Sequence, residues 1–391
     1  MKSGNLENKV SLTLEVHIPN KRNKLWQLNK VRRPKMINKK IRVNKKKYNS
    51  SLKDTEIYEH YIAVDWSERN MAIARIGLKD FEPKVIDVPT DIKELKRYVG
   101  NLRGKKILTI EETTSSHWLY VELYDYVERI LICDPYRNRL LIEGPKTDKI
   151  DAGKLCKLLK NGMLKEVYHS TNEIYELRKL VSYYDDEVKA GVRLLNQKSA
   201  LYRAENKSWK KKEELEKSWI NEFIVAQLDE KIESYLEKKK NYEKEFGRIS
   251  KKNKMVRNLE SIPGLGPISS VTILSTVIDG RRFKSANHYL SYCGLVKHEK
   301  ISGGRSYGRR LPRYSRRLKS VYVSAAVRVA STENPLREYY EYLLKEKKLA
   351  EYNAKNALAR YIAKISLGII KSGEKYKPYR WRETKKKREA A

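Results

Sequence analysis

The sequence predicts an α/β domain built on a mixed sheet, then a long helical stretch, then a mostly helical C-terminal region. Three observations support this order. From Tyr58, three short apolar runs of strand length are followed by segments of helical period that alternate with two more such runs. From about Thr171 to Ile249, apolar residues recur at steps of three and four in a highly charged background. Near the C-terminus, SAAVRVAST and NALARYIAKISLGIIKSG carry Ala, Leu and Ile at helical spacing, as core helices do.

YIAVD, MAIARIGL and KVIDVP are the first three predicted strands, ELKRYVGNL a helix, KKILTIE a strand, WLYVELYDYV a helix, RILICD a strand and TDKIDAGKLCKLL a helix. This is the element order of the ribonuclease H type of nuclease fold. Asp65 ends the first run and Glu111 the fourth, while Asp148 and Asp151 open the last helix. Residues leaving the ends of neighbouring strands share one crevice, and carboxylates at i and i+3 share one helix face. Carboxylate oxygens suit hard divalent cations, and a pair of such ions can clamp a phosphate. Each acid also has a plain structural reading: Asp148 as an N-cap beside Thr147, Asp151 as a first-turn acid favoured by the helix dipole. Asp134 ends a strand too, but Pro135 after it points to a turn role. His117, His288 and His298 show no metal-ligand spacing.

With 85 Lys and Arg against 49 Asp and Glu, the chain carries a net charge of +36 over 391 residues, which directs attention to polyanions and above all to nucleic acid. Residues 1–53 hold 16 Lys or Arg and two acids, Glu7 and Glu15. They form an expected flexible basic arm in which Trp26 and Tyr48 are candidates for base stacking, with a solvated tail as the plainer reading. No apolar run approaches the roughly 18 residues of a membrane helix, and no secretion signal opens the chain, so the expected location is cytoplasmic and nucleoid-associated. Cys133, Cys156 and Cys293 are odd in number and widely spaced, which fits reduced structural cysteines.

Ile174, Leu177, Val181, Tyr184, Val188, Val192 and Leu195 make one helical seam; Leu228, Ile232, Tyr235, Tyr242, Phe246 and Ile249 make a second. Two long helices broken near Asn206–Lys212 would pair antiparallel, as a coiled coil that self-associates or as a hairpin packed within its own chain. In LESIPGLGPISSVTILSTV, Pro263, Gly264 and Gly266 mark a tight turn between helices, as in a helix-hairpin-helix that offers backbone N–H groups to a phosphate. A glycine-rich basic loop follows, with nine Lys or Arg and one acid, Glu299, between Lys297 and Lys319. Ser302 stands at its head before Gly303 and Gly304. Its local chemistry admits a turn residue or a nucleophile whose phosphodiester target is stabilised by arginines.

Across roughly residues 58–375 the chain resembles the DEDD transposases of bacterial and archaeal insertion sequences, the group numbered one hundred and ten, understood as RNA-guided recombinases. The resemblance rests on Asp65 in AVDWS, Glu111 in TIEETTSS, Asp148 and Asp151 in KTDKIDA, Ile262 to Gly266, Arg282 with Phe283, Cys293 to Val296, and Ser302 with Gly303. Glu112 follows Glu111 where the family more often has a small residue, Lys297 replaces a usual Pro and Ser315 a frequent Gly. The resemblance implies a RuvC-like domain over 58–165, a helical oligomerisation region over 166–255 and a C-terminal transposase domain with a helix-hairpin-helix over 256–378, between the basic arm (1–57) and a basic tail (379–391). It implies that Asp65, Glu111, Asp148 and Asp151 hold Mg²⁺, with Mn²⁺ an alternative, and that Ser302 forms a transient bond to a DNA 5′ phosphate. Expected partners are element-end and target DNA, an element-encoded guide RNA and further copies of the chain. Gly264, Gly266, Arg305, Arg309, Arg310, Arg313, Arg316 and Arg317 are the expected nucleic-acid contacts. Two other functions use parts of this set: a structure-specific nuclease such as a junction resolvase, with water as nucleophile, and a non-catalytic nucleic-acid-binding protein.

Overall fold

Alternation of buried residues along five short strands builds the first half of the fold. In the computed structural model, which describes residues 57–137, 147–379, 381 and 382, these are β1 (His60–Trp66), β2 (Asn70–Gly77), β3 (Lys84–Pro89), β4 (Lys106–Glu111) and β5 (Arg129–Cys133). They form one sheet in the order β3-β2-β1-β4-β5, with β1, β4 and β5 parallel and β2 antiparallel to both of its neighbours. All five strands are where the apolar runs place them. The expected basic arm apart from Ile57, and the expected tail apart from Tyr379, Trp381 and Arg382, lie outside the described residues, as does 138–146.

Period-two patterning gives the sheet two apolar faces, and helices cover both. On one face Ile62, Val64, Leu108 and Ile110 pack against Leu95 and Val99 of α1 (Ile92–Gly100) and Leu119 and Leu123 of α2 (Ser116–Leu123). On the other, Ala63, Ala72, Ala74 and Ile107 lie beneath Ala152, Leu155, Cys156 and Leu159 of α3 (Asp148–Lys160). Small side chains under α3 let the helix approach closely: the Cys156 thiol lies 3.2 Å from the Tyr61 carbonyl, and Lys160 Nζ donates to the carbonyls of Gly77, Leu78 and Asp80. Because the C-terminal end of α3 sits beside Gly77, which pairs with His60 at the start of β1, α3 runs antiparallel to β1. Its first turn therefore lies at the end of the sheet where Asp65 is found.

Two long helices follow, α4 (Leu177–Ala204) and α5 (Trp219–Lys252), and they pair antiparallel. Tyr184 meets Phe246 with ring centroids 5.2 Å apart, Glu187 pairs with Lys238 at 3.9 Å, Gly191 backs onto Tyr235 and Lys198 reaches Asp229, so numbers rise on one helix as they fall on the other. The connection is longer than the sequence suggests, spanning 205–218, and positive φ at Asn206 and Lys212 turns it. The ends of this pair nearest the chain's C-terminal helices are covered by the chain itself. Val181, Tyr184, Phe246 and Ile249 join one core with α6 (Lys254–Glu260), α7 (Pro267–Val277), α8 (Ala286–Tyr292), α9 (Arg316–Ser331), α10 (Arg337–Lys345) and α11 (Glu351–Ser372). The described residues all fall within one compact unit.

The segment expected as a glycine-rich basic loop is instead a two-stranded antiparallel ribbon, β6 (His298–Ser302) and β7 (Arg305–Arg310). Gly303 and Gly304 have φ of 55° and 75°, so both central residues of the turn are left-handed, which matches the twist of a two-residue hairpin. Glycine serves here as a strand reverser.

Among the described residues no helix is long and apolar enough to cross a membrane. Cys133, Cys156 and Cys293 are buried and join no disulfide; burial pushes the thiols of Cys156 and Cys293 up to about 12, which keeps them protonated and unreactive near neutral pH.

Candidate functional site

Sheet register decides which acids share a side of the molecule. Asp87 pairs with Ala72, Ala72 with Asp65, and Glu111 with Cys133. The β1–β4 ladder runs as far as Val64 opposite Ile110, and its next step sets Asp65 beside Glu111. One row thus crosses the whole sheet: Asp87, Ala72, Asp65, Glu111, Cys133. Strand alternation from Ala63 and Ile107 turns this row toward the face that α3 covers. Asp148 and Asp151 occupy the first turn of α3, where Thr147 is the N-cap and its hydroxyl accepts from the Ile150 amide at 3.3 Å. Lys149 Nζ lies 3.9 Å from Asp87, which places that turn over the row. The dipole of α3 has acids at its positive end and Lys157 and Lys160 at its negative end, a favourable arrangement.

All four predicted acids therefore lie at one end of the sheet, and Asp65 with Glu111 lie side by side. Their oxygen donors are of the kind a hard divalent cation takes. Among the described residues, however, no three His, Cys, Asp or Glu side chains come close enough together to hold a metal ion. The structure brings the acids to one end without closing them around a point.

Register also separates Glu111 from Glu112. The Glu112 amide donates to the Cys133 carbonyl at 3.0 Å. Removal of water by the surrounding chain pushes the Glu112 carboxyl up, Asp134 adds to this by repulsion, and Arg178 and Arg313 oppose it. Glu112 belongs to a junction between sheet and helices, whereas Glu111 belongs to the row.

Asp134, which Pro135 marks as a turn residue, does accept the Tyr136 amide at 3.0 Å, but it also accepts from Arg313 and lies 3.6 Å from Arg137. Burial alone would raise its pKa, yet the hydrogen bonds from Arg313 and Tyr136 and the nearby guanidinium charges hold it below the ordinary value of 3.8. Arg317 donates to Asp185 at 2.5 Å. Two of the arginines expected to meet nucleic acid thus brace the helical region against the sheet and against α4. Nearby, His117 stacks on Tyr175 at 3.7 Å and His169 lies 5.4 Å from the same ring, over which Arg178 sits at 4.0 Å. Arg178 also donates to the carbonyls of Ser275 and Thr276, capping the C-terminal end of α7. Nothing in residue spacing announces this junction, since its members come from segments as far apart as the 179 residues between Asp134 and Arg313.

The helix–turn–helix around Pro263 is present: α6 ends at Glu260 and α7 begins at Pro267. Its two glycines differ. Gly264 has φ +83°, and a Cβ there would stand 2.7 Å from the Ala325 carbonyl; its own carbonyl accepts from Arg328 at 3.0 Å. Gly266 is the N-cap of α7 in an extended conformation with open space around it, and no side chain caps the helix.

Ser302 closes the ribbon opposite Arg305, and every residue of both strands is exposed. Among the described residues no hydrogen bond fixes its hydroxyl, and a Cβ at Gly303 or Gly304 would meet nothing within 4 Å. No bond joins Ser302 to any of the four acids within the described residues.

Fold and site together define a mixed-sheet α/β domain with acids at one strand end, coupled to a basic helical region with an exposed ribbon. Residues 256–341, which run from α6 through the ribbon into α10, match the family described as Transposase IS116/IS110/IS902. A stretch of 121 residues is 28% identical to the "Insertion element IS110 uncharacterized 43.6 kDa protein" of Streptomyces coelicolor, covering 31% of this chain and 30% of that one. Another relative, the "Insertion element IS116 uncharacterized 44.8 kDa protein" of Streptomyces clavuligerus, is 27% identical over 118 residues, 30% of each chain. The chain thus matches less than a third of the length of these curated relatives. The segment around the ribbon is similar to insertion-element transposases, and the four acids lie outside the family match.

Proposed function

We propose that the chain is an insertion-element transposase that cuts and rejoins DNA, with Asp65, Glu111, Asp148 and Asp151 as its carboxylate site and Ser302 as its nucleophile. The observation that carries this reading is the coexistence in one chain of a segment similar to insertion-element transposases with four acids at one end of the sheet. The order β3-β2-β1-β4-β5, with only β2 antiparallel to its neighbours and acids at the ends of β1 and β4, supports a ribonuclease H type, RuvC-like domain.

Ser302 Oγ attacks phosphorus in a phosphodiester; the new P–Oγ bond forms as the P–O3′ bond breaks. The serine proton is lost and the departing 3′ oxygen gains one, leaving a free 3′ hydroxyl and a 5′ phosphoserine. A 3′ hydroxyl from a different DNA end then attacks the same phosphorus and releases Ser302, so phosphodiester bonds are conserved in number and no nucleotide hydrolysis is needed. Mg²⁺ held by the four carboxylates would supply charge neutralisation at the phosphate. Exposure lets the Ser302 hydroxyl reach DNA, and its separation from the acids fits a site completed between copies of the chain. The +36 charge is compatible with an element-encoded guide RNA beside two DNA duplexes.

The test is covalent trapping. The chain is incubated with element-end DNA, its RNA and Mg²⁺, quenched with denaturant, and compared with Ser302→Ala and Asp65→Ala. A DNA–protein adduct in the parent chain alone is expected. Cutting without an adduct, undiminished in Ser302→Ala, would instead establish a nuclease using water.

A further inference from the structure

We infer that the β6–β7 ribbon enters the major groove of duplex DNA, with the face that carries Ser302, Arg305 and Tyr307 turned toward the duplex. This rests on the DNA-processing reading and gives it a docking mode.

Directly opposed residues of a hairpin share a face, and so do residues two apart on a strand. Ser302 opposes Arg305, and Tyr307 is two residues further along β7, where the register shifts between the Ile301–Ser306 and Glu299–Arg309 pairs; alternation up to that shift sets these three on one face. Ile301 opposes Ser306 on the other. The ribbon's acid, Glu299, is engaged on that second face, where Ser306 Oγ donates to it at 2.7 Å. The Ser302 face therefore presents a guanidinium and an aromatic ring without a carboxylate. Tyr307 is 64% exposed, a large ring held in water on a ribbon whose every residue is exposed.

Dimensions and clearance agree. Strands of five and six residues extend roughly 17–20 Å, and their axes lie ~4.8 Å apart. A B-form major groove is about 12 Å wide and 8.5 Å deep and admits a two-stranded ribbon. Gly303, Gly304 and Gly308 have open space where a side chain would stand, so the backbone can pass close to bases and phosphates. Arg313 and Arg317, tied to Asp134 and Asp185, hold the start of α9 and so aim the ribbon.

Other occupants fit less well. The A-form major groove of RNA is too deep and narrow for side chains to read. Single strands are held by series of aromatic platforms, and the ribbon has Tyr307 alone. A second ribbon would bring arginines against arginines.

The experiment uses the full chain with three probes of equal length: duplex DNA, duplex RNA and single-stranded DNA. Each carries 5-iodouracil, whose iodine projects into the major groove where the thymine methyl lies. After irradiation the cross-linked peptides are mapped by mass spectrometry, and affinities are measured for the parent, Arg305→Ala and Tyr307→Ala. The expected result is an adduct at Tyr307 with duplex DNA, lost in Tyr307→Ala, together with a roughly tenfold or greater loss of duplex affinity in Arg305→Ala. Duplex DNA adducts that map only elsewhere, equal or stronger labelling of Tyr307 by either other probe, or unchanged affinity in Arg305→Ala would overturn the inference. A Ser302-dependent DNA adduct without ribbon cross-linking would leave the transposase reading intact while removing the groove; the reverse would do the opposite.

Discussion

Arg313 donates to the carboxylate of Asp134 across 179 residues of sequence, joining the segment after the ribbon to the loop that leaves β5. The carboxylate is nearly buried and the guanidinium is half in water, so the pair combines a protected acceptor with a solvated donor.

Asp134→Asn should lower stability by about 1 kcal/mol, a charged hydrogen bond discounted for the exposure of Arg313. The sign with pH is fixed by the depressed carboxyl. Its contribution is complete above the ordinary value of 3.8 and disappears as pH falls through the lower folded value. Denaturation midpoints of parent and variant measured from pH 6 to 2.5 should converge at the acid end; a constant gap would remove the pair as the cause.

His169 gives the opposite lesson. Burial lowers its pKa from 6.5 to about 4, since the folded chain resists charging a ring among Ser116, Tyr120 and Tyr175. Above pH 6.5 the ring is neutral folded or unfolded and contributes nothing to pH dependence. Between 6.5 and about 4 the unfolded chain alone takes up the proton, so stability falls with pH by up to on the order of 3 kcal/mol. His169→Phe keeps a ring and removes the titration; its melting temperature should decline less steeply over that interval, and parallel curves would refute the assignment.

Gly264 and Gly266 should part company when each is changed to alanine. At 264 the positive φ and the contact with the Ala325 carbonyl together cost about 2–4 kcal/mol, seen as a large drop in melting temperature. At 266 there is room, and the fold should be retained. Gly266→Ala is therefore the clean probe of phosphate approach at the start of α7. Weaker DNA binding with unchanged melting would support that contact, and unchanged binding would remove it.

Gly191→Ala tests the long antiparallel pair. A Cβ there would lie 2.2 Å from the buried ring of Tyr235, so the helices or the ring must move, at a cost of about 1–3 kcal/mol. Pairing it with Tyr235→Leu should recover part of the loss; simple additivity would mean the two positions do not meet in solution.

Much of this architecture is legible in the sequence because it is local. Apolar alternation locates all five strands, Thr147 and the acids after it locate α3, and Pro263 to Gly266 locate a turn. The ribbon is hidden because its strands carry charge on both faces and bury nothing, although the Gly303–Gly304 pair is a hairpin signal. The pairing of Arg313 with Asp134 and of Arg317 with Asp185 escapes because an arginine's partner depends on tertiary packing. Residue counting sees all these arginines as equal, whereas the fold divides them between bracing and solvent. At the acids, spacing predicts strand-end and helix-start positions, and only strand phase separates Glu111 from Glu112.

That doublet has an evolutionary consequence. Loss of one residue from Lys106–Ile110 would draw the chain back by a single position along β1, and Glu112 would arrive where Glu111 now stands. A glutamate would still neighbour Asp65 after a mishap that would strip most strand ends of their functional group. Repetition of one amino acid thus lets this end of the sheet lose a residue from β4 without losing its second carboxylate.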